Sequence, residues 1–94
     1  MGTNYVQNTL DALNIECPGL EPELAQLYAL LVHTMGPYTS LEDVHDAWSL
    51  WRNTTAPEHR SLIPFDELSR EVQEMDREYR DAIRRTALKV AGTS

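Results

Sequence analysis

The chain has 94 residues, with 15 acidic and 8 basic side chains and a formal net charge of −7. This length accommodates one domain with one small core, and not two domains. Residues 1–51 contain seven acids and no Lys or Arg, so the whole net charge lies in the first half. An acidic first half argues against nucleic acid as a partner of its surface, because phosphate binding depends on Lys and Arg.

Cysteine content and hydropathy predict a cytoplasmic protein. Cys17 is the single cysteine, so no internal disulfide can form, which fits a reducing compartment. The N-terminal segment has neither the basic residues nor the apolar stretch of a secretory signal. The longest apolar run, residues 27–32, is much shorter than the roughly 20 residues that span a bilayer. We therefore expect no membrane partner.

The first predicted helix covers about residues 4–14. Val6, Leu10 and Leu13 recur at the spacing that places side chains on one helical face. Thr3 is a suitable capping residue for the first turn, because its hydroxyl can accept a backbone hydrogen bond. The pattern predicts a short amphipathic helix with one apolar face.

The second predicted helix covers about residues 22–35. Pro22 suits the first turn, where its missing N–H would be unpaired in any case. Apolar residues occupy almost every side of this segment, which is typical of a buried helix, and we expect it at the centre of the core. Gly36 is a suitable residue to follow the helix end, and Pro37 prevents continuation.

The third and fourth predicted helices cover about residues 41–53 and 69–90. Thr39 and Glu42 have the spacing of a capping box for the third helix. Its apolar stripe consists of Leu41, Val44, Trp48 and Trp51. The stripe of the fourth helix consists of Val72, Met75, Tyr79, Ile83, Thr86 and Val90.

An irregular loop, residues 54–68, joins these two helices. It contains several apolar residues and Pro64, which cannot donate a ladder hydrogen bond and so excludes a central strand. We expect the loop to lie on the core. The sequence therefore predicts one all-α domain over residues 1–94, a compact bundle of about four helices with a Pro-containing loop packed across it.

The residue types suited to ligand binding concentrate around the third helix and this loop. His45 and Trp48 are one helical turn apart and face the same way. One interpretation makes both tryptophans core residues, with His45 bonded to a loop carbonyl. The other is an aromatic pocket, in which tryptophan stacks on a purine and Arg or His binds phosphate. The candidate ligand-binding residues are His45, Trp48, Trp51, His59, Arg60 and Phe65.

Catalytic and metal-binding patterns are missing from the sequence. The three histidines match no zinc-ligand spacing, and no cysteine pair accompanies them. The chain has no G-x-S-x-G motif and no Gly-rich phosphate loop, since its four glycines are scattered. We expect no enzymatic activity, no metal and no cofactor.

Residues 44–83 resemble the RyR domain, a small helical repeat first described in ryanodine receptors and also found alone in bacteria and phages. The resemblance rests on His45-x-x-Trp48, on the loop HRSLIPFDEL at 59–68, and on Asp76-Arg77. It implies an α-helical, non-enzymatic module that binds nucleotide-derived ligands. A Gly-Trp-x-Tyr-Gly segment of that family has no counterpart here, where residues 51–57 fill the interval. The full chain also resembles small proteins of actinobacteria and their phages.

Two functional hypotheses follow. The leading one is a non-catalytic binding module of phage origin that recognises a small nucleotide-like ligand or a host protein. The alternative is a homodimeric protein–protein interaction module without a small-molecule ligand. The hypotheses differ in what they require of the aromatic cluster: a ligand site needs at least one accessible tryptophan and a His45 side chain without a hydrogen-bond partner.

Overall fold

Five α-helical segments and two 3₁₀ turns make up residues 4–92, the part of the chain that the computed structural model describes. The helices are α1 (Tyr5–Glu16), α2 (Pro22–Thr34), α3 (Leu41–Thr55), α4 (Arg70–Glu74) and α5 (Arg77–Gly92). The 3₁₀ turns are Gly36–Tyr38 and Phe65–Glu67. Four helices have 12 to 16 residues, whereas α4 has 5. This confirms the predicted all-α bundle of about four helices.

Helix α1 starts with a side-chain cap. The Asn4 side-chain oxygen accepts a hydrogen bond from the Gln7 N–H at 2.7 Å, which satisfies one of the unpaired donors of the first turn. The predicted cap at Thr3 lies outside the described residues. The buried face also differs from the prediction, because Val6 is exposed and Thr9 is buried. Thr9 tolerates burial since its hydroxyl donates to the Tyr5 carbonyl.

Helix α3 starts with a capping box one residue later than predicted. The Ser40 hydroxyl accepts from the Asp43 N–H at 3.1 Å, and the Asp43 carboxylate accepts from the Ser40 N–H at 2.9 Å. The predicted Thr39–Glu42 box was therefore wrong. Thr39 is unavailable because its hydroxyl donates to the Gly36 carbonyl at 2.8 Å inside the preceding 3₁₀ turn.

The fourth predicted helix, residues 69–90, is interrupted, so its single-helix prediction was wrong. At the interruption the N–H groups of Met75 and Asp76 donate three residues back, to the carbonyls of Val72 and Gln73. Such bonds tighten the backbone and end α4. Helix α5 then begins after Asp76, a residue type that favours helix starts over helix interiors.

A tether to the loop explains the interruption. The Gln73 side-chain amide donates to the carbonyls of Phe65 at 2.9 Å and Leu68 at 3.3 Å. Helix α4 is therefore attached to the loop, while α5 packs against the other helices. The predicted apolar stripe also breaks here, because Met75 is 68% exposed whereas Ile83 is 0% exposed.

Helix α2 packs against α1, α3 and α5, which agrees with its predicted central place. The prediction that almost every side is buried was wrong, because Leu30 is 54% exposed. The helix ends where expected, since Gly36 follows the C-cap with a φ of 56°, a left-handed conformation that favours glycine. The side chains that are almost fully buried come from all four long helices and from Thr39, directly after the first 3₁₀ turn. They are Tyr28, Leu13, Ile83, Val44, Thr9, Thr39 and Thr86.

The loop before α4 lies against the bundle, which agrees with the predicted packing across the helices. Leu68 is buried, and the Ile63 carbonyl is hydrogen-bonded to the imidazole of His45 on α3. At the opposite side, Arg84 of α5 donates to the Thr39 carbonyl at 2.8 Å. Among residues 4–92, no helix has both the length and the apolar content needed to cross a membrane.

Candidate functional site

A cleft of about 1010 Å³ opens between the N-terminal part of α2, the His45–Trp48 side of α3 and the α4–α5 junction. Trp48 and Trp51 of α3 contribute aromatic surface on one side, and both are partly buried against the core. Tyr28 of α2 and Tyr79 of α5 lie on the inner side, with their ring centroids 5.9 Å apart. The cleft is thus walled by aromatic rings from three helices.

The structure brings four of the six predicted ligand-binding residues to this cleft. They are His45, Trp48, Trp51 and His59. Arg60 is exposed and is not part of the lining. Phe65 also lies outside the lining, and its ring contacts the His45 ring at a centroid distance of 6.1 Å.

His45 joins the loop to α3. Its side chain is 3% exposed, and its Nε2 lies 2.7 Å from the Ile63 carbonyl oxygen, which can only accept, so Nε2 carries the proton. The ring also stacks on Trp48 at 5.8 Å with an interplanar angle of 24°. One requirement of a ligand site, an unpaired His45, is therefore not met. The other requirement is met, since both tryptophans keep some exposure.

His59 borders the cleft from the loop. Its ring meets the Trp48 ring edge-on, with centroids 5.2 Å apart. Its Nδ1 accepts a hydrogen bond from the Ser61 N–H at 3.0 Å. Nε2 therefore bears the proton of the neutral ring. His59 is exposed and offers one N–H donor at the rim of the cleft.

Arg52 was not among the predicted site residues, yet it lies on the aromatic wall. The central carbon of its guanidinium is 4.4 Å from the Trp51 ring centroid and 5.7 Å from that of Trp48. Nη1 donates to the Thr55 hydroxyl at 3.3 Å. Nε is buried without an acceptor among the described residues. Leaving a buried donor unpaired costs about 1–3 kcal/mol, so this unsatisfied donor is unfavourable for folding.

Asp76 is the second functional candidate that the sequence alone did not single out. It lines the cleft at the start of α5, is partly buried, and its carboxylate accepts no hydrogen bond from residues 4–92. Burial raises the pKa of this carboxyl, and the nearby His45 opposes that change. Its position in the Asp76-Arg77 pair of the RyR-like segment was the one available indication.

Acidic groups outnumber basic ones around the cleft. Arg77 is engaged, because its Nε and Nη2 donate to the Glu74 carboxylate at 2.7 and 3.1 Å. This leaves Arg52 as the one arginine of the lining without a carboxylate partner among the described residues. The acids of the lining are Glu21, Glu74, Asp76, Glu78 and Asp81.

Neither Ser49 nor Cys17 is activated as a nucleophile. Ser49 Oγ lies 3.3 Å from Nε2 of His45, but that nitrogen donates to Ile63, so it cannot take the serine proton. Burial raises the pKa of the Cys17 thiol, which keeps it protonated. Within residues 4–92, no group of three or more His, Cys, Asp or Glu side chains could hold a metal ion.

Fold and cleft together define a small all-α domain with an aromatic-walled cleft at one side of its bundle. Residues 4–88 match the family described as "Domain of unknown function (DUF7701)", and the chain belongs to that family. The match includes α1, α2, α3, α4 and most of α5. No curated protein and no solved structure matches the chain.

Proposed function

We propose that this domain is a non-catalytic binding module that holds a small ligand with a flat ring in the cleft beside α3. The observation that supports this most directly is a cleft of about 1010 Å³ that includes two partly exposed tryptophans. Ligand pockets typically enclose about 300–1,000 Å³ and combine apolar walls with a few polar groups. Trp48 and Trp51 supply such walls, and flat rings stack on indole irrespective of their substituents.

Unmet hydrogen-bonding capacity also favours a ligand over a purely structural role. Native proteins pair nearly all of their buried polar groups, so an exception calls for a reason. Arg52 Nε is such an exception among the described residues, and the guanidinium to which it belongs lines the cleft beside Trp51. His45 has a different part in the proposal: it holds the loop in place and so shapes the cleft rim.

We also propose that residues 44–83 are related to the RyR domain and that the protein is of phage origin. In this view the ligand is a nucleotide-like compound, or else the cleft takes a side chain of a host protein. The absence of the Gly-Trp-x-Tyr-Gly segment is compatible with a cleft here, because α3 and the α4–α5 junction provide the walls without it.

Tryptophan fluorescence of the full chain tests the proposal. Nucleobases, nucleosides, nucleotides and ADP-ribose would be titrated, with melting temperatures recorded at saturation. Ligand at about 100 times its Kd adds roughly 2.7 kcal/mol of stability, or on the order of 10 °C for a domain of this size. Trp48→Ala should abolish the response, whereas Tyr38→Ala, an aromatic change at an 80% exposed position outside the cleft, should not.

Two results would contradict the proposal. One is the absence of any fluorescence or melting response across the whole set of compounds. The other is a response that Trp48→Ala leaves intact, since the binding would then lie elsewhere on the molecule.

A second candidate function, a homodimeric interaction module, is favoured by a separate surface. Tyr5, Met35 and Tyr38 are 72%, 39% and 80% exposed, and all three line one groove of about 590 Å³ formed by α1, α2, the first 3₁₀ turn and α5. Exposed aromatic side chains grouped in this way are typical of protein interfaces. We propose a second copy of the chain as the occupant.

Sedimentation at several protein concentrations separates the two functions. A dimer predicts a mass that rises with concentration, a melting temperature that rises in parallel, and loss of both effects in Tyr38→Glu. Leu88→Glu, at a 64% exposed position that does not line the groove, is the matched control. A monomer at all concentrations would eliminate this alternative and leave the ligand proposal unaffected.

A further inference from the structure

We infer that the ligand is a neutral heterocycle whose edge carries N–H donors beside a carbonyl acceptor, as in guanine and its nucleoside, and that Asp76 and Arg52 recognise that edge. The inference rests on the proposed function and adds to it the chemical class of the ligand. Three properties of the cleft support it. The Asp76 carboxylate and most of the Arg52 donors have no hydrogen-bond partner among residues 4–92, and the lining has an excess of negative charge.

Asp76 supplies the acceptor side of the recognition. Its carboxylate lines the cleft, is partly buried and accepts no hydrogen bond from residues 4–92. An ionised carboxylate can only accept, and its two oxygens match two neighbouring N–H groups. A ligand with two adjacent donors would therefore pair with a carboxylate that accepts no hydrogen bond from residues 4–92.

Arg52 supplies the donor side. Its guanidinium has five N–H donors, of which one is bonded to Thr55 within the described residues. The guanidinium carbon lies 4.4 Å from the Trp51 ring centroid, so these donors stand beside the aromatic wall of the cleft. A ring that stacks on the same wall would present a carbonyl or ring nitrogen to these donors, the geometry in which arginine recognises the O6 and N7 atoms of guanine.

Charge decides between a nucleoside and a nucleotide. Five carboxylates line the cleft, and its second arginine, Arg77, is bonded to Glu74. Each added phosphate would meet these carboxylates with Arg52 as the one unengaged arginine, and like charges repel strongly where water is partly excluded. Arg60, which could have bound phosphate, lies outside the lining. The cleft therefore favours the uncharged nucleoside or base over its phosphorylated forms.

Adenine should be rejected by the same carboxylate. Guanine offers N1–H and the exocyclic amine next to O6, which suits Asp76 and Arg52 together. Adenine offers a lone pair at N1, and that lone pair would face the carboxylate of Asp76 and leave it without a donor. Sites built around such a hydrogen bond reject ligands that lack it by large factors, because a buried polar group is then left unpaired.

Calorimetric titration of the full chain with guanosine, adenosine, GMP and GTP at neutral pH tests the inference. Guanosine should bind at least about tenfold more tightly than adenosine, and affinity should fall from guanosine to GMP to GTP. Asp76→Asn should reduce guanosine affinity about tenfold or more and remove the preference over adenosine. Asp66→Asn, an exposed acid outside the lining, should change neither. Asparagine is compatible with a helix start, and the melting curve of each variant verifies folding.

The outcomes separate this inference from the proposed function. If GTP binds more tightly than guanosine, or if Asp76→Asn keeps the guanosine affinity while Trp48→Ala loses it, the inference fails and the binding module stands. If adenosine equals guanosine, the edge recognition fails in the same way. If none of the nucleobases, nucleosides, nucleotides or ADP-ribose alters the fluorescence, both the proposed function and the inference fail.

Discussion

Helices α1 and α5 meet through apolar side chains and ion pairs, whereas α3 and the α4–α5 junction meet across an open cleft. On the first side, Leu13 and Ile83 are almost completely buried, and Glu16 binds both Arg85 and Lys89. The cleft side leaves the Arg52 guanidinium with an unpaired donor. One region uses its polar groups to hold helices together, and the other leaves a buried donor without an acceptor among the described residues.

The difference has an energetic consequence. A chain of this length has a small margin of stability, so unpaired polar groups are a substantial cost. Functional sites commonly carry such a cost, and substitutions there often stabilise a protein while they remove its activity. Substitutions on the α1–α5 side should therefore destabilise the fold, and some substitutions in the cleft should do the reverse.

The largest effect is expected from Ile83→Ala. Ile83 is 0% exposed, and removal of a fully buried aliphatic side chain costs about 2–5 kcal/mol through lost burial and a residual cavity. For this domain the melting temperature should fall by roughly 10–20 °C. Urea denaturation followed by circular dichroism measures it. Leu88→Ala, on the same helix at a 64% exposed position, should change stability by less than about 0.5 kcal/mol. Equal losses for the two variants would show that the α1–α5 side is not the core.

His45→Ala should have the next largest effect and tests how the cleft rim is held. The substitution removes a 2.7 Å hydrogen bond to the Ile63 carbonyl and the ring stacked on Trp48. We expect a loss of about 1.5–3 kcal/mol. Hydrogen exchange should also accelerate at the Leu62 N–H, which is bonded inside the loop. His33→Ala, an exposed histidine on α2, is the control. Unchanged exchange in the loop would mean that His45 does not hold it.

Asp76→Asn should stabilise the protein at neutral pH. Burial raises the pKa of this carboxyl above its ordinary value of 3.8, so the folded state binds the proton more tightly than the unfolded chain does. The stability associated with that proton is present below the unfolded pKa and is lost as pH rises through the folded pKa. A neutral amide avoids the loss, so Asp76→Asn should raise the melting temperature at pH 7.

The pH profile distinguishes this cause from others. The gain from Asp76→Asn should shrink as pH falls and should vanish below the ordinary pKa of the carboxyl. Thermal denaturation between pH 3 and pH 7 would measure it, with Asp66→Asn as the exposed control. A variant that is less stable than the native chain at pH 7 would show that the carboxylate is favourably used in the fold.

The smallest effect is expected from Glu16→Gln, which removes both ion pairs between α1 and α5. Hydrogen bonds from Arg85, and then from Lys89, lower the pKa of the Glu16 carboxyl. The stabilisation is therefore present above the unfolded pKa and is lost as pH falls through the lowered folded pKa. Because Arg85 and Lys89 are exposed, salt should screen the effect.

Melting curves at low and high salt provide the measurement for this variant. Glu16→Gln should be slightly less stable at low salt and close to the native chain at high salt. Glu23→Gln, an exposed acid on α2, should be neutral at both. A loss that high salt leaves unchanged would point to packing of the Glu16 side chain instead of its charge.

Sequence periodicity was sufficient for the long helices. Apolar spacing and turn residues predicted helices at about 4–14, 22–35 and 41–53, and the structure has them at Tyr5–Glu16, Pro22–Thr34 and Leu41–Thr55. Gly36 followed α2 as expected, because the left-handed backbone there favours glycine. These features depend on residues close together in the chain.

The errors occurred where a spacing rule competed with a different hydrogen bond from a neighbouring part of the chain. Thr39 and Glu42 satisfied the spacing of a capping box, but Thr39 was already bonded to Gly36. The fourth helix had a continuous apolar stripe, but Gln73 is bonded to two loop carbonyls and α4 ends beside it. Spacing along the chain contains no information about these bonds.

The same limit applies to the candidate site. Sequence reasoning found the cluster of His45, Trp48, Trp51 and His59 because histidine and tryptophan are rare and were closely spaced. It missed Arg52 and Asp76, whose residue types are common on helix surfaces. Their importance depends on burial and on missing partners, and both properties arise only when α3 is placed against the α4–α5 junction.

Composition and residue spacing were enough to predict a small, acidic, all-α domain with an aromatic cluster on its third long helix. Short-range interactions account for that, since helix propensity, capping and apolar period act within a few residues of the chain. Tertiary structure alone decided that His45 holds the loop, that the fourth helix is divided, and that Arg52 and Asp76 border one cleft. His45 and Ile63 are 18 residues apart and Arg52 and Asp76 are 24 apart, and burial of the apolar faces brings each pair together by selecting one arrangement of the helices. The division of the fourth helix accompanies shorter bonds, from Gln73 to carbonyls 5 and 8 residues back.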